Sequence, residues 1–158
     1  MRATSVPVDS ATLSLFPQAR MSDAYRLVVK EPLDAPSAAG RMFGRVPRWI
    51  RALMAMRNRL VAPFGLKTGR DKITSPSRRI GIFPVIAEAP ERVVLGLDDR
   101  HLDFRVAIDV MRLGGARSEV TATTLVCPHN RLGRAYLAIV LPFHRVIVPV
   151  MLAQAAKA

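Results

Sequence analysis

The chain has 158 residues, half of them apolar, and carries 24 Lys and Arg against 12 Asp and Glu for a net charge of +12. That length and apolar share suffice for one domain with its own core, and the single Cys127 excludes an internal disulfide framework. The charge is uneven: residues 41–79 hold nine Arg and two Lys against the lone Asp71, ten of the twelve net positive charges.

Residues 1–22 contain Pro7, Pro17 and scattered Ser and Thr with no sustained period, so they read as an irregular N-terminal arm that carries little of the core. Their first twenty hold no apolar run long enough for a signal peptide, and a cytoplasmic location is expected. Residues 23–158 read as a single domain. Asp23 to Lys30 is short and β-branched and ends before Pro32, which makes it the first strand. Asp34 is placed to cap a short helix through Phe43, and Pro47 suits the first turn of a second helix running to about Val61. In that second helix Ile50, Leu53, Met54, Leu60 and Val61 recur at helical steps while Arg48, Arg51 and Arg59 fall on another side. It is amphipathic and basic. Pro63, Gly65 and Gly69 break the pattern, and residues 69–79 read as a polar loop.

From Arg79 the period becomes that of strands: Ile80 to Glu88, Arg92 to Leu97, Leu102 to Arg112 and Glu119 to Cys127, joined by turns at Ala89-Pro90, Asp98-Asp99 and Gly114-Gly115. Four strands on short turns make an antiparallel meander. After Pro128 an almost wholly apolar helix begins, with Asn130 as N-cap and bends at Pro142 and Pro149. Its expected inward stripe is Leu132, Tyr136, Ile139, Val140, Phe143, Ile147, Val150 and Met151. His144 and Arg145 interrupt the apolar run, which argues against a membrane span. The fold class is therefore α+β: a curved antiparallel sheet of about five strands wrapped around a long C-terminal helix, with two short helices inserted after the first strand.

Three groups of residues are candidates for function. Strand alternation sets Leu102, Phe104, Val106, Ile108 and Val110 on one face and His101, Asp103 and Arg105 on the other, as a polar row in which Asp103 pairs with a neighbour. His129-Asn130, with Arg134 a turn later, reads either as a capping cluster or as a helix N-terminus that receives an anionic group. In the last helix, His144 is placed to donate to a carbonyl freed by Pro142, and Tyr136 is the hydroxyl best placed to reach any space between helix and sheet. Cys127 has no local signature of a nucleophile, and three histidines without paired spacing suggest no metal site and no cofactor.

The stretch Asp98 to Arg105, the pair Thr123-Thr124, His129-Asn130 with Leu132-Gly133-Arg134 and Tyr136-Leu137, and Pro142-Phe143-His144 together resemble the bacterial family called domain of unknown function 2867. Pro47-Arg48-Trp49, Arg57-Asn58 and Gly65-Leu66 are similar to it as well. The resemblance implies a shortened helix-grip fold related to the START and Bet v 1 proteins, in which an antiparallel sheet curls round a long C-terminal helix and often leaves room for a lipophilic molecule.

On that reading the chain binds a hydrophobic or aromatic small molecule between sheet and helix, in a cavity lined by Trp49, Phe104, Tyr136 and Phe143, with Arg134 and His144 as polar contacts. A second reading uses the basic segment, with Arg45, Arg48, Arg51, Arg57 and Arg59 docking on an anionic membrane surface or an acidic protein. Nucleic acid fits less well, because no base-reading motif accompanies the charge. A third reading recruits His101, Asp103 and Tyr136 for proton transfer on a polyketide-like or steroid-like substrate, as in some helix-grip relatives. The apolar surplus of the last helix suits a homodimer interface as well as a deep monomer core.

Overall fold

In the computed structural model, residues 2–65 and 78–157 are described. The elements are β1 (Thr4–Val6), α1 (Ser10–Leu13), β2 (Met21–Val29), α2 (Ala35–Gly44), α3 (Arg48–Val61), β3 (Arg79–Ile80), β4 (Phe83–Glu88), β5 (Arg92–Asp98), β6 (Leu102–Leu113), β7 (Arg117–Pro128) and α4 (Arg131–Gln154). The strands form one sheet in the order β1-β2-β7-β6-β5-β4-β3, with every pair antiparallel. This is the expected α+β arrangement of meander and C-terminal helix, with seven strands rather than about five. The polar loop expected over residues 69–79 lies outside the described residues as far as Ser77.

The two extra strands have local causes. Gly81, at φ +61°, turns the chain back on itself, so the single strand expected from Ile80 to Glu88 splits into the β3–β4 pair. A side chain there would also press on the Cβ of Phe43, 3.0 Å away. At the other edge β1 pairs with β2, and α1 is capped by the Asp9 carboxylate, which accepts from the Thr12 amide. The arm is thus ordered and, contrary to expectation, carries core: Thr12 and Phe16 are buried.

One face of the sheet packs on the helices. Tyr25, Leu27 and Val29 of β2 lie across from Val120 and Ala122 of β7, and Val106, Ile108 and Val110 of β6 across from Val93 and Leu95 of β5. Helix α2 seals this layer with small residues, Ala35, Ala38 and Ala39, all inaccessible to solvent. Its N-cap is Asp34, whose carboxylate accepts from the Ser37 amide. Hydrogen bonding to Ser37 lowers the Asp34 pKa from its ordinary 3.8. A depressed folded-state pKa means the cap's contribution is complete above the ordinary value and fades as pH falls through the depressed one. Replacing Asp34 with Ala is therefore expected to lower stability by about 1 kcal/mol at neutral pH and by nothing in strong acid, read by urea unfolding.

The opposite face is covered by the arm. Its buried Val94, Ala107, Thr123 and Leu125 lie on the side where Phe16 seats, with the Arg105 guanidinium 4.9 Å from the Phe16 ring centre.

Helix α4 buries or half-buries Leu132, Tyr136, Val140, Ile147, Val150 and Met151 of the expected stripe and departs from it at Ile139 and Phe143, which are exposed. Gly133, Leu137, Val140, His144, Ile147 and Met151 follow the 4-3-4-3-4 spacing of one ridge, and all six are buried or half-buried. The neighbouring ridge runs through Tyr136, Ile139, Phe143 and Val146. Its Ile139 is 69% exposed, Phe143 49% and Val146 56%. In a helix apolar on nearly every side, hydropathy alone does not select the ridge, and the true one is disguised by a glycine and a histidine. By length and composition α4 is able to cross a membrane, but both its ends are docked. Gly133 lies against the His101 carbonyl, and Met151 and Leu152 are buried in the core.

Candidate functional site

The motif-rich stretches around His101 and His129 meet at the start of α4. Asn130 caps the helix, its Oδ1 accepting from the Gly133 amide at 2.9 Å. That fixes the orientation of its side-chain amide, so Nδ2 donates to His101 Nδ1 at 2.9 Å. With Nδ1 an acceptor, the proton sits on Nε2 and is donated to the Phe64 carbonyl at 3.1 Å. The His101 carbonyl in turn accepts from the His129 amide. Every polar atom of the ring is thus engaged in holding the β5–β6 turn, the end of α3 and the start of α4 together. His101 is 5% exposed. It is a structural histidine.

The expected polar row His101-Asp103-Arg105 does not form. Strand β6 begins at Leu102, so His101 lies in the preceding turn, where alternation of faces has no force. Asp103 accepts from the Asp99 amide and pairs with His129 at 2.9 Å, while Arg105 pairs with Asp98. Asp103 is on the sheet face turned away from α4, so His101, Asp103 and Tyr136 do not converge on a common substrate position. The expected anion seat at His129, Asn130 and Arg134 is likewise absent. Its best amide, Gly133 N–H, is occupied by Asn130, Asp103 places a carboxylate beside His129, and Arg134 is exposed.

His144 points to the sheet and not to a carbonyl freed by Pro142. Its Nδ1 lies 3.1 Å from Asp23 Oδ2, and the other carboxylate oxygen of Asp23 is shut from solvent without a hydrogen bond. Two residues along β2, the Tyr25 hydroxyl has its pKa raised by burial and by the Asp23 charge, against an opposing effect of Arg145. This polar group anchors the middle of α4 to β2 beneath the helix.

The remaining candidates lie between α3 and α4. Arg57 Nε donates to the Tyr136 hydroxyl at 2.6 Å, with its guanidinium 5.2 Å from the ring centre. On α3, Arg57 sits beside Leu53 and Leu60; on α4, Tyr136 sits beside Ile139. The bridge therefore joins two apolar ridges. On α3, Trp49, Met56 and Leu60 fall on one line at seven- and four-residue steps and are 45, 51 and 65% exposed. On α4 the line is Ile139, Phe143 and Val146. Phe43 of α2, Phe83 of β4 and Phe104 of β6 stack edge-to-face at 5.2 and 5.3 Å and pack against the core. Trp49 and Phe143 are 45 and 49% exposed and do not line a closed cavity.

Two open concavities among the described residues lie elsewhere. One, of about 480 Å³, runs along Ser37, Arg41 and Arg45 on the outside of α2. The other, of about 470 Å³, lies between the arm and the outer sheet face, where Arg92 is already paired with Asp109 and Thr12. At its two ends the basic segment is neutralised, Arg41 by Glu31 and Arg78 by Glu88. Helices α3 and α4 contain seven arginines and no carboxylate.

No curated protein sequence matches the chain. Among solved structures, CalU16 from Micromonospora echinospora is similar over 86% of this chain and 82% of its own, at 13% identity and a TM-score of 0.36. The family described as protein of unknown function (DUF2867) matches residues 15–151.

Proposed function

The chain belongs to the DUF2867 family of unknown function, and from that premise we propose that it is a binding protein whose working surface is the exposed apolar face of α3 and α4, covered by a lipophilic small molecule. The observation that carries this reading is the pair of exposed apolar ridges joined by the Arg57–Tyr136 bridge. Large contiguous apolar surface on a monomer is costly unless something covers it. The polar groups nearby, Arg57 and Tyr136, suit a ligand with one hydrogen-bonding end and an apolar body. Catalysis finds no support in the acid–base candidates, which are consumed in capping and ion pairs.

Trp49 is the only tryptophan and is exposed on this face, so binding has an intrinsic reporter. Titration with the neutral probe N-phenyl-1-naphthylamine is expected to give saturable probe emission with energy transfer from Trp49. Leu60→Asp or Ile139→Asp is expected to weaken binding by about 10-fold or more, since each removes one buried aliphatic contact and adds a charge. Met111→Asp, at an exposed apolar position on the other sheet face, leaves it unchanged. Probe binding indifferent to both Leu60→Asp and Ile139→Asp, or absent, removes the reading.

A further inference from the structure

We propose that the same two ridges seat the protein on an anionic lipid bilayer, with α3 and α4 lying flat in the interface. The inference rests on the reading of the α3–α4 face as the working surface and adds the partner of that face.

The argument begins with how each helix divides its circumference. Helix α3 buries Ile50 and Val61, exposes the line Trp49, Met56 and Leu60, and carries Arg48 and Arg59, eleven residues apart, on a third line. Helix α4 repeats the division: Gly133 and Met151 are buried, Ile139, Phe143 and Val146 are exposed, and Arg134 and Arg145, again eleven apart, share a line. An exposed apolar ridge flanked by arginine and by no acid is the pattern of a helix that sinks one side into the acyl boundary and lifts its guanidinium groups to phosphate. Trp49 suits that depth because its ring is at home between hydrocarbon and headgroup.

Charge selects the sign of the lipid. With seven arginines and no carboxylate, the two helices repel cations and like-charged surfaces and attract a layer of phosphates. A bilayer presents continuous anionic charge directly above hydrocarbon, so it satisfies the arginine lines and the apolar ridges together without matched geometry. Helix α4 lies on such a surface and does not cross it, because Gly133 at one end and Leu152 at the other are held by the sheet domain.

The test is flotation of the full chain with vesicles of phosphatidylcholine alone and with phosphatidylglycerol added. Binding is expected only to the mixed vesicles and is expected to fall as salt rises. The triple change Arg48→Glu, Arg51→Glu and Arg59→Glu is expected to weaken it by about 100-fold or more, and Leu60→Asp with Ile139→Asp to abolish it. Met111→Asp, folded and exposed elsewhere, should float like the parent chain. Equal binding to neutral vesicles, loss with Met111→Asp, or no flotation overturns the inference. So does retention on immobilised poly-glutamate without flotation, which assigns the face to an acidic protein, or a concentration-dependent dimer that the ridge variants dissolve. Naphthylamine binding without flotation sinks this inference alone; flotation without naphthylamine binding sinks only the small-molecule reading.

Discussion

Replacing Gly133 with alanine is expected to destabilise the fold by about 3 kcal/mol, seen as a lower urea midpoint with an unchanged slope. An added Cβ would lie 2.0 Å from the His101 carbonyl oxygen and 3.0 Å from its carbon. Both are backbone atoms, and the carbonyl already accepts from the His129 amide, so the β5–β6 turn and the start of α4 must part. Separation then costs the Asn130 contact to His101 as well. Gly40, in the exposed part of α2, is the control of opposite sign. A Cβ there meets nothing within 4 Å, and Gly40→Ala should raise stability by about 0.5–1 kcal/mol through helix propensity. Equal effects of the two substitutions would refute the close-packing account of Gly133.

Phe16→Ala is the second large loss, again about 3 kcal/mol by equilibrium unfolding. Phe16 is 3% exposed and is the large apolar side chain that the arm buries against the outer sheet face. Its removal leaves a cavity in the layer that covers the outer sheet face and takes the aromatic ring from beneath Arg105. Leu15, the neighbouring residue, is 43% exposed, and Leu15→Ala should cost only a fraction as much. Similar losses at both positions would mean that the arm contributes general hydrophobicity and not a specific plug.

These two residues also mark what is legible in the chain and what is not. The caps at Asp34 and Asn130, the meander and the proline-bearing last helix follow from interactions within a few residues, and the structure has them where local pattern puts them. Phe16 escapes because nothing local tells an apolar residue in an irregular segment which distant surface it covers. The split of β3 from β4 turns on one glycine in a left-handed conformation. Alternation assigns Phe104 and Asp103 to their correct faces but fails for His101, one residue before the strand begins. The pairs that define the site, Arg57 with Tyr136 and Asp23 with His144, join residues far apart along the chain. Residue types suggest such partners, but only the sheet order and the helix crossing bring them together. The buried ridge of α4 was hidden for a related reason: Gly133 and His144 face inward for what they touch, not for their hydropathy.

The sheet closes along a seam that is distant in sequence. From β3 to β7 every ladder joins consecutive strands, whereas β2 pairs with β7 across roughly a hundred residues, Met21 with Val126. During synthesis the hairpins can assemble as they leave the ribosome, yet β2, which has the short β1 on one edge, has no mate on its other edge until the last strand is made. An early-made strand of the nascent protein is thus among the last to complete its pairing, and until then Tyr25, Leu27 and Val29 of β2 are exposed to chaperones and to neighbouring chains.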